Sequence, residues 1–251
     1  MTAIISVISG KGGTGKTTLV SNLGAALAQK GKKVLVIDGN VTGSSLGMHL
    51  GVDEATPTTL NDVLKNDAFI THALYRHPAG FNIIPAALHD LDANLASLKK
   101  QVTHLLGSHD IILIDAAAGV GDEAEAAIKA SDFTLLVTNP EHPAVKNALN
   151  AKLLADKHNK KTVGVVLNKV FGEVHELPDN EIEEMTELPI IAKIGHHRKV
   201  REAIAYKQPV ILYDPQTKPS REINKLACIL AGDALPKDTF KDKFMDFFDK
   251  G

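Results

Sequence analysis

Ser9-Gly10-Lys11-Gly12-Gly13-Thr14-Gly15-Lys16-Thr17-Thr18 is the stretch on which the fold of this chain turns. Before it runs Ile4-Ile5-Ser6-Val7-Ile8, an apolar segment that reads as a buried strand. After it come Leu19, Leu23 and Leu27, whose spacing marks one face of a helix. Strand, glycine-rich loop and helix together form the setting of a phosphate-binding loop. Gly12, Gly13 and Gly15 let the backbone turn tightly enough for several N–H groups to converge on one anion. The start of the helix adds its partial positive charge. Lys16 brings a full charge for the β and γ phosphates, and the Thr17 hydroxyl is suited to ligate Mg²⁺.

The rest of the composition narrows the class. A chain of 251 residues can bury a large core as one domain. The net charge is −2, which gives no support to bulk electrostatic binding of nucleic acid. The single cysteine, Cys228, leaves no partner for a disulfide or a Cys-x-x-Cys site and reads as a core residue in Leu226–Leu230. Met1-Thr2-Ala3 leads straight into the first strand, so no signal peptide is expected. No apolar run approaches the roughly 20 residues of a membrane span. A cytoplasmic protein is expected, peripheral at the membrane if at all.

Apolar runs and helical periods alternate along the chain. Val34–Ile37, Phe81–Pro85, Ile111–Asp115, Phe133–Thr138, Thr162–Leu167 and Ile190–Ile194 read as further strands. Helices are expected near Leu46–Leu50, Thr59–Leu64, Phe69–Tyr75, Leu88–Leu106, Asp122–Ala130, Pro143–Lys157, Asn180–Met185, Lys199–Tyr206 and Ser220–Ala231. This alternation predicts an α/β fold with a doubly wound, mostly parallel sheet and helices on both faces. Residues 1–235 form the expected domain, with 236–251 set apart as a C-terminal amphipathic helix.

Polar residues gather where the expected strands end, which is the edge where such sheets bind ligands. Asp38 and Asn40 follow the second strand, Asp115 ends the strand at 111–115, and Asn168 follows the strand at 162–167. Asp115 fits the carboxylate that positions Mg²⁺ and its waters. Asp38 is a second carboxylate able to act on metal-bound water or on the attacking nucleophile. Asn168 carries both an acceptor and a donor, suited to the N6/N7 edge of adenine.

With these residues assembled, the chain resembles the MinD/ParA family of P-loop ATPases, and within it the archaeal-type MinD branch, over residues 2 to about 232. Lys11-Gly-Gly-Thr-Gly-Lys16-Thr-Thr18 is similar to the family's deviant Walker A motif, with its extra lysine. Val34–Asn40 resembles the switch I strand end, and Ile111–Gly119 resembles Walker B and switch II. Val137–Glu141 and Val166–Asn168 also match family stretches. The resemblance implies a Mg²⁺-dependent ATPase that forms a homodimer around two ATP molecules. Lys11 would reach the partner's phosphates, Gly12 to Thr18 and Asn168 would hold ATP, and Thr17, Asp38 and Asp115 would serve the metal. It further implies spatial positioning of other components at a membrane, as in cell division. The alternatives are a ParA-like partition ATPase on nucleic acid and a non-hydrolysing, ATP-stabilised scaffold.

Two places depart from the family pattern. Asn40 stands where the family has a second Asp; an amide accepts a hydrogen bond from water but cannot take its proton, so slow or absent basal turnover is expected. His196-His197 replaces a proline and acidic residues; a loop lining the base pocket is the expectation, in preference to a metal site. In the tail, Phe240, Phe244, Phe247 and Phe248 share one face of a helical projection and account for four of the chain's eight phenylalanines. A membrane-binding amphipathic helix, a helix docked on its own domain and a partner-binding helix all fit.

Overall fold

The computed structural model describes residues 2–52, 57–87 and 93–233. Its strands are β1 (Ala3–Ile8), β2 (Val34–Gly39), β3 (Tyr75–Arg76), β4 (Asn82–Ile84), β5 (Ile111–Ala116), β6 (Phe133–Thr138), β7 (Lys161–Val170) and β8 (Ile190–Gly195). They form one sheet in the order β3-β4-β2-β5-β1-β6-β7-β8. All the pairings are parallel except β3 with β4. The helices are α1 (Lys16–Gln29), α2 (Leu46–Leu50), α3 (Leu60–Lys65), α4 (Leu98–Thr103), α5 (Asp122–Ala130), α6 (His142–Lys157), α7 (Asp179–Thr186), α8 (Arg198–Ala205), α9 (Val210–Tyr213) and α10 (Lys218–Ala231).

Each apolar strand feeds two cores at once. Ile4 and Ile8 of β1, Leu35 and Ile37 of β2, and Ile112 and Ile114 of β5 pack with residues of α3 to α7. Their neighbours Ile5, Val7, Val34, Val36, Ile111 and Leu113 pack with α1, α2, α9 and α10. This is the period-two alternation of a strand buried on both sides. It also places the carboxylates. Asp38 and Asp115 pair directly across β2 and β5, each one residue beyond an isoleucine of the α3–α7 core. Both therefore belong to the face that α1 covers, and both are fully buried.

Most of the sequence-derived elements stand, with shifts of one to three residues. The stretch Phe69–Tyr75 is not a continuous helix. It is a 3₁₀ turn, Ile70–Ala73, after which Tyr75 enters β3 and pairs with Ile83. The expected helix Leu88–Leu106 runs partly outside the described residues; the remainder is a 3₁₀ turn, Leu95–Ser97, and the short α4. Beyond α4, Gly107 takes a left-handed φ of 85°, which turns the chain toward β5. Thr59 caps α3 as expected, with the Asp62 carboxylate accepting hydrogen bonds from its N–H and hydroxyl. Cys228 is buried in the α10 core, as expected. The tail phenylalanines lie outside the described residues.

Candidate nucleotide site

The loop between β1 and α1 sits at the carboxyl edge of the sheet, beside the point where neighbouring strands β5 and β6 lead away in opposite directions. Gly15 precedes α1 with φ +87°, and Gly13 has φ +79°; both values are strained for a side chain-bearing residue. Gly12 has neither a positive φ nor a neighbour within 4 Å of a built Cβ. Gly10, by contrast, lies against the backbone of α6: a Cβ there would meet Asn147 C and O at 1.9 Å. The loop is thus wedged between its own helix and α6, and the glycine demand falls on positions 10, 13 and 15.

Polar contacts from three other strand ends fix its shape. The Asn168 amide donates to the Thr14 carbonyl at 2.7 Å, and Lys169 Nζ donates to the Gly13 carbonyl at 2.6 Å. Asn139 Nδ2 donates to the Asn168 carbonyl at 2.9 Å, which ties β6 to β7 beneath the loop. The N–H of Gly119, after β5, donates to the Ser9 carbonyl at 2.8 Å. Asn168 lies inside β7 rather than after it. One of its two N–H donors is committed to the loop, which leaves the other and Oδ1 for a base. An acceptor with one donor suits the N6/N7 edge of adenine.

The loop walls a cavity of about 570 Å³. Its far side carries Phe171, Ile194, His196 and His197, with Val200 and Arg201 from α8. The His196 and Phe171 rings stack with centroids 4.4 Å apart, giving an aromatic rim. Desolvation holds the His196 imidazole below the usual histidine range, and the charges of Arg201 and Lys169 push the same way. Both histidines line the cavity. Among the described residues, no group of three or more His, Cys, Asp or Glu side chains could hold a metal ion.

Lys16 and Lys11 have opposite environments. Lys16 Nζ is 3.1 Å from Asp115 Oδ1, with both side chains nearly inaccessible to solvent. Lys11 Nζ is 3.1 Å from Glu141 Oε2, and these side chains are 35% and 59% exposed. One lysine is built into the fold; the other stands at its surface.

Asp38, Asn40 and Asp115 are not among the residues lining the cavity. The Asn40 N–H donates to Asp38 Oδ1 at 3.1 Å; the Ser44 hydroxyl and the Leu46 N–H donate to Oδ2 at 2.8 and 3.1 Å. Asp38 therefore holds the loop 40–46. Burial pushes its carboxyl up to about 7, and the charge of Asp115 pushes the same way, while these three hydrogen bonds oppose the shift. The Asn40 amide donates to the Gly43 carbonyl at 2.6 Å. Thr42 donates through its N–H and hydroxyl to Glu123 of α5, which joins this loop to the segment after β5. Asp115 Oδ2 is buried and has no hydrogen-bond partner among the described residues. That orphaned acceptor, together with the Thr17 hydroxyl, suits a hydrated divalent cation carried in with phosphates.

Gly10, Ser44, Ser45, Asn139, Lys169 and Phe171 are not marked as site residues by local sequence pattern. The only available signal was position: each lies next to the loop or within three residues of a strand's carboxyl end, apart from the two serines that follow Asp38.

A glycine-rich loop between a central parallel strand and its helix, with a buried lysine held by an in-register carboxylate, defines a P-loop nucleotide-binding domain. The chain belongs to the CobQ/CobB/MinD/ParA nucleotide-binding domain family, whose profile matches residues 5–210. It is 35% identical over 256 residues to an uncharacterised ATP-binding protein of Methanocaldococcus jannaschii, covering 100% of this chain and 97% of that protein. Its fold is similar to that of the cell division ATPase MinD of Pyrococcus furiosus, with a TM-score of 0.88 and 34% identity over 92% of this chain and 99% of that one. It is equally similar to the septum site-determining protein MinD of Pyrococcus horikoshii, solved with Mg-ADP: TM-score 0.87, 34% identity, 92% and 96% covered.

Proposed function

We propose that this protein is a MinD-like, ATP-dependent dimerisation switch that positions other components at a membrane, with slow hydrolysis. The observation that carries the reading is the contrast between buried Lys16 and exposed Lys11 on one phosphate loop. Lys16 serves the chain's own nucleotide. Lys11 needs only to leave Glu141, an exposed pair of about 0–1 kcal/mol, to reach phosphates on a facing copy. Two γ-phosphates meeting at an interface call for cations from both sides.

The residues would divide the work as follows. The loop N–H groups and Lys16 orient the phosphates. Thr17 Oγ1 would hold Mg²⁺, which when bound neutralises phosphate charge, and Asp115 Oδ2 would accept hydrogen bonds from its waters. Asn168 Oδ1 would take the adenine amine. The loop 40–46 and the segment after β5, joined through Thr42 and Glu123, would respond together to the γ-phosphate.

The test is the ATP-dependent mass of the protein in solution, by light scattering. The wild type is expected to dimerise with ATP and remain monomeric with ADP. Lys11→Ala should keep nucleotide affinity within about threefold yet stay monomeric, since an exposed ion pair contributes little to the fold. A stable ATP dimer of Lys11→Ala rules out the role given to Lys11.

Asn40→Asp is the second prediction. A carboxylate cannot donate to the Gly43 carbonyl and repels it, so residue 40 would leave that contact. Turnover should then rise about 100-fold or more, within the roughly 10²–10⁴ range of general-base catalysis. Unchanged turnover in a phosphate-release assay would remove Asn40 from the account. For membrane attachment, ATP-dependent co-flotation with anionic vesicles should be lost from a chain ending at Leu235. Equal flotation of both chains would leave the tail without that role.

A further inference from the structure

We propose that Ser45 supplies, beside Thr17, a second hydroxyl ligand to the Mg²⁺ that enters with the nucleotide; this rests on the Mg-nucleotide reading above. The Ser45 Oγ lies 3.2 Å from Thr17 Oγ1, across 28 positions of sequence. Mg²⁺ demands an octahedron of oxygens at about 2.0–2.1 Å, whose adjacent members stand about 2.9 Å apart. Two hydroxyl oxygens at 3.2 Å need to close by only about 0.3 Å to form one edge of that octahedron.

Among the described residues, the Ser45 hydroxyl makes no other hydrogen bond. Ser45 precedes α2, yet its side chain makes no capping hydrogen bond to that helix. Its neighbours on both sides are held: the Ser44 hydroxyl and the Leu46 N–H both donate to Asp38 Oδ2. One buried carboxylate oxygen thus grips the chain immediately before and after Ser45 and aims its hydroxyl at Thr17. Asp38 becomes a positioning residue, acting on the metal through Ser45 rather than as a ligand. Asp115 Oδ2, buried and unpartnered, supplies a separate sign that a hydrogen-bond donor belongs in this region. Metal, Thr17 and Ser45 together would couple the loop 40–46 to the phosphates.

The experiment measures binding of a fluorescent ADP derivative to the full chain over a Mg²⁺ titration and in EDTA. Using ADP keeps the measurement apart from dimerisation. Ser45→Ala is expected to raise the half-saturating Mg²⁺ concentration about tenfold while leaving affinity in EDTA unchanged; Ser45→Thr should restore it. With Mn²⁺ in ¹⁷O-enriched water, line broadening in electron paramagnetic resonance counts bound waters, and Ser45→Ala should gain one. A Mg²⁺ dependence and water count equal to the wild type overturn the proposal alone. An equal loss of affinity with and without Mg²⁺ also overturns it, since Ser45 then merely shapes the loop. Wild-type binding of ADP without Mg²⁺ dependence overturns both this proposal and the metal role in the reading beneath it.

Discussion

Lys16→Ala is expected to abolish measurable nucleotide binding and to destabilise the fold by about 3–5 kcal/mol. The second effect is the less obvious one. Lys16 is not a surface cation waiting for phosphate; it is buried against Asp115, and Asp38 lies beside Asp115 in register on the same face. Removing the ammonium leaves Asp115 buried beside Asp38 without its cation. Breaking a buried pair costs far more than an exposed pair contributes, because the remaining charge keeps its desolvation penalty. Lys16→Ala with Asp115→Asn should therefore recover much of the stability and none of the binding. Urea unfolding of the two variants and fluorescent-ADP titration check this. A loss of stability below about 1 kcal/mol for the single variant would show that the pair does not brace the apoprotein.

Gly10→Ala is expected to be at least as damaging to the fold, by more than about 4 kcal/mol, with loss of folded protein as the visible outcome. The built Cβ stands 1.9 Å from Asn147 C and O and 2.4 Å from Ala148 N. These are backbone atoms within α6, so no side-chain rotation relieves the overlap. Either the phosphate loop or α6 must move, and α6 packs on β6 and β7. Gly12→Ala is the matched control: open space surrounds that position, and its melting temperature should stay within a few degrees. Equal melting temperatures for the two variants would refute the wedge between loop and helix.

The two glycines show how far the sequence could be read. A glycine-rich run announces a tight loop, but does not say which glycine serves conformation and which serves approach. Positive φ at Gly13 and Gly15 follows from the loop itself. The demand at Gly10 comes from a helix about 140 residues further on, which no local pattern reveals. Asn168 and Asn40 teach the same point. Their positions at or near the carboxyl ends of strands were legible, since continuous apolar runs mark buried parallel strands. Their hydrogen bonds were not: one amide is taken by Thr14 and the other by Gly43.

The membership in the family and the doubly wound fold were legible for a physical reason. Hydrophobic runs of strand length, helix-period leucines and the loop motif are local properties, and burial on both faces writes them into consecutive residues. Short elements were not so written. Phe69–Tyr75 has the composition of a helix, yet Tyr75 finds its partner in Ile83 and becomes an edge strand.

By itself, the sequence determined the strand–loop–helix that binds phosphate, the order of the long strands and helices, and the chemical identity of Lys11, Lys16 and Asn40. The tertiary structure alone decided that Lys16 is buried and Lys11 exposed, that Asp38 grips the loop 40–46, and that Ser45 meets Thr17. Local pattern sets backbone periodicity and side-chain type. Burial and partnership depend on which distant segments the sheet brings together, and those set the charge state and reach of every group in the site.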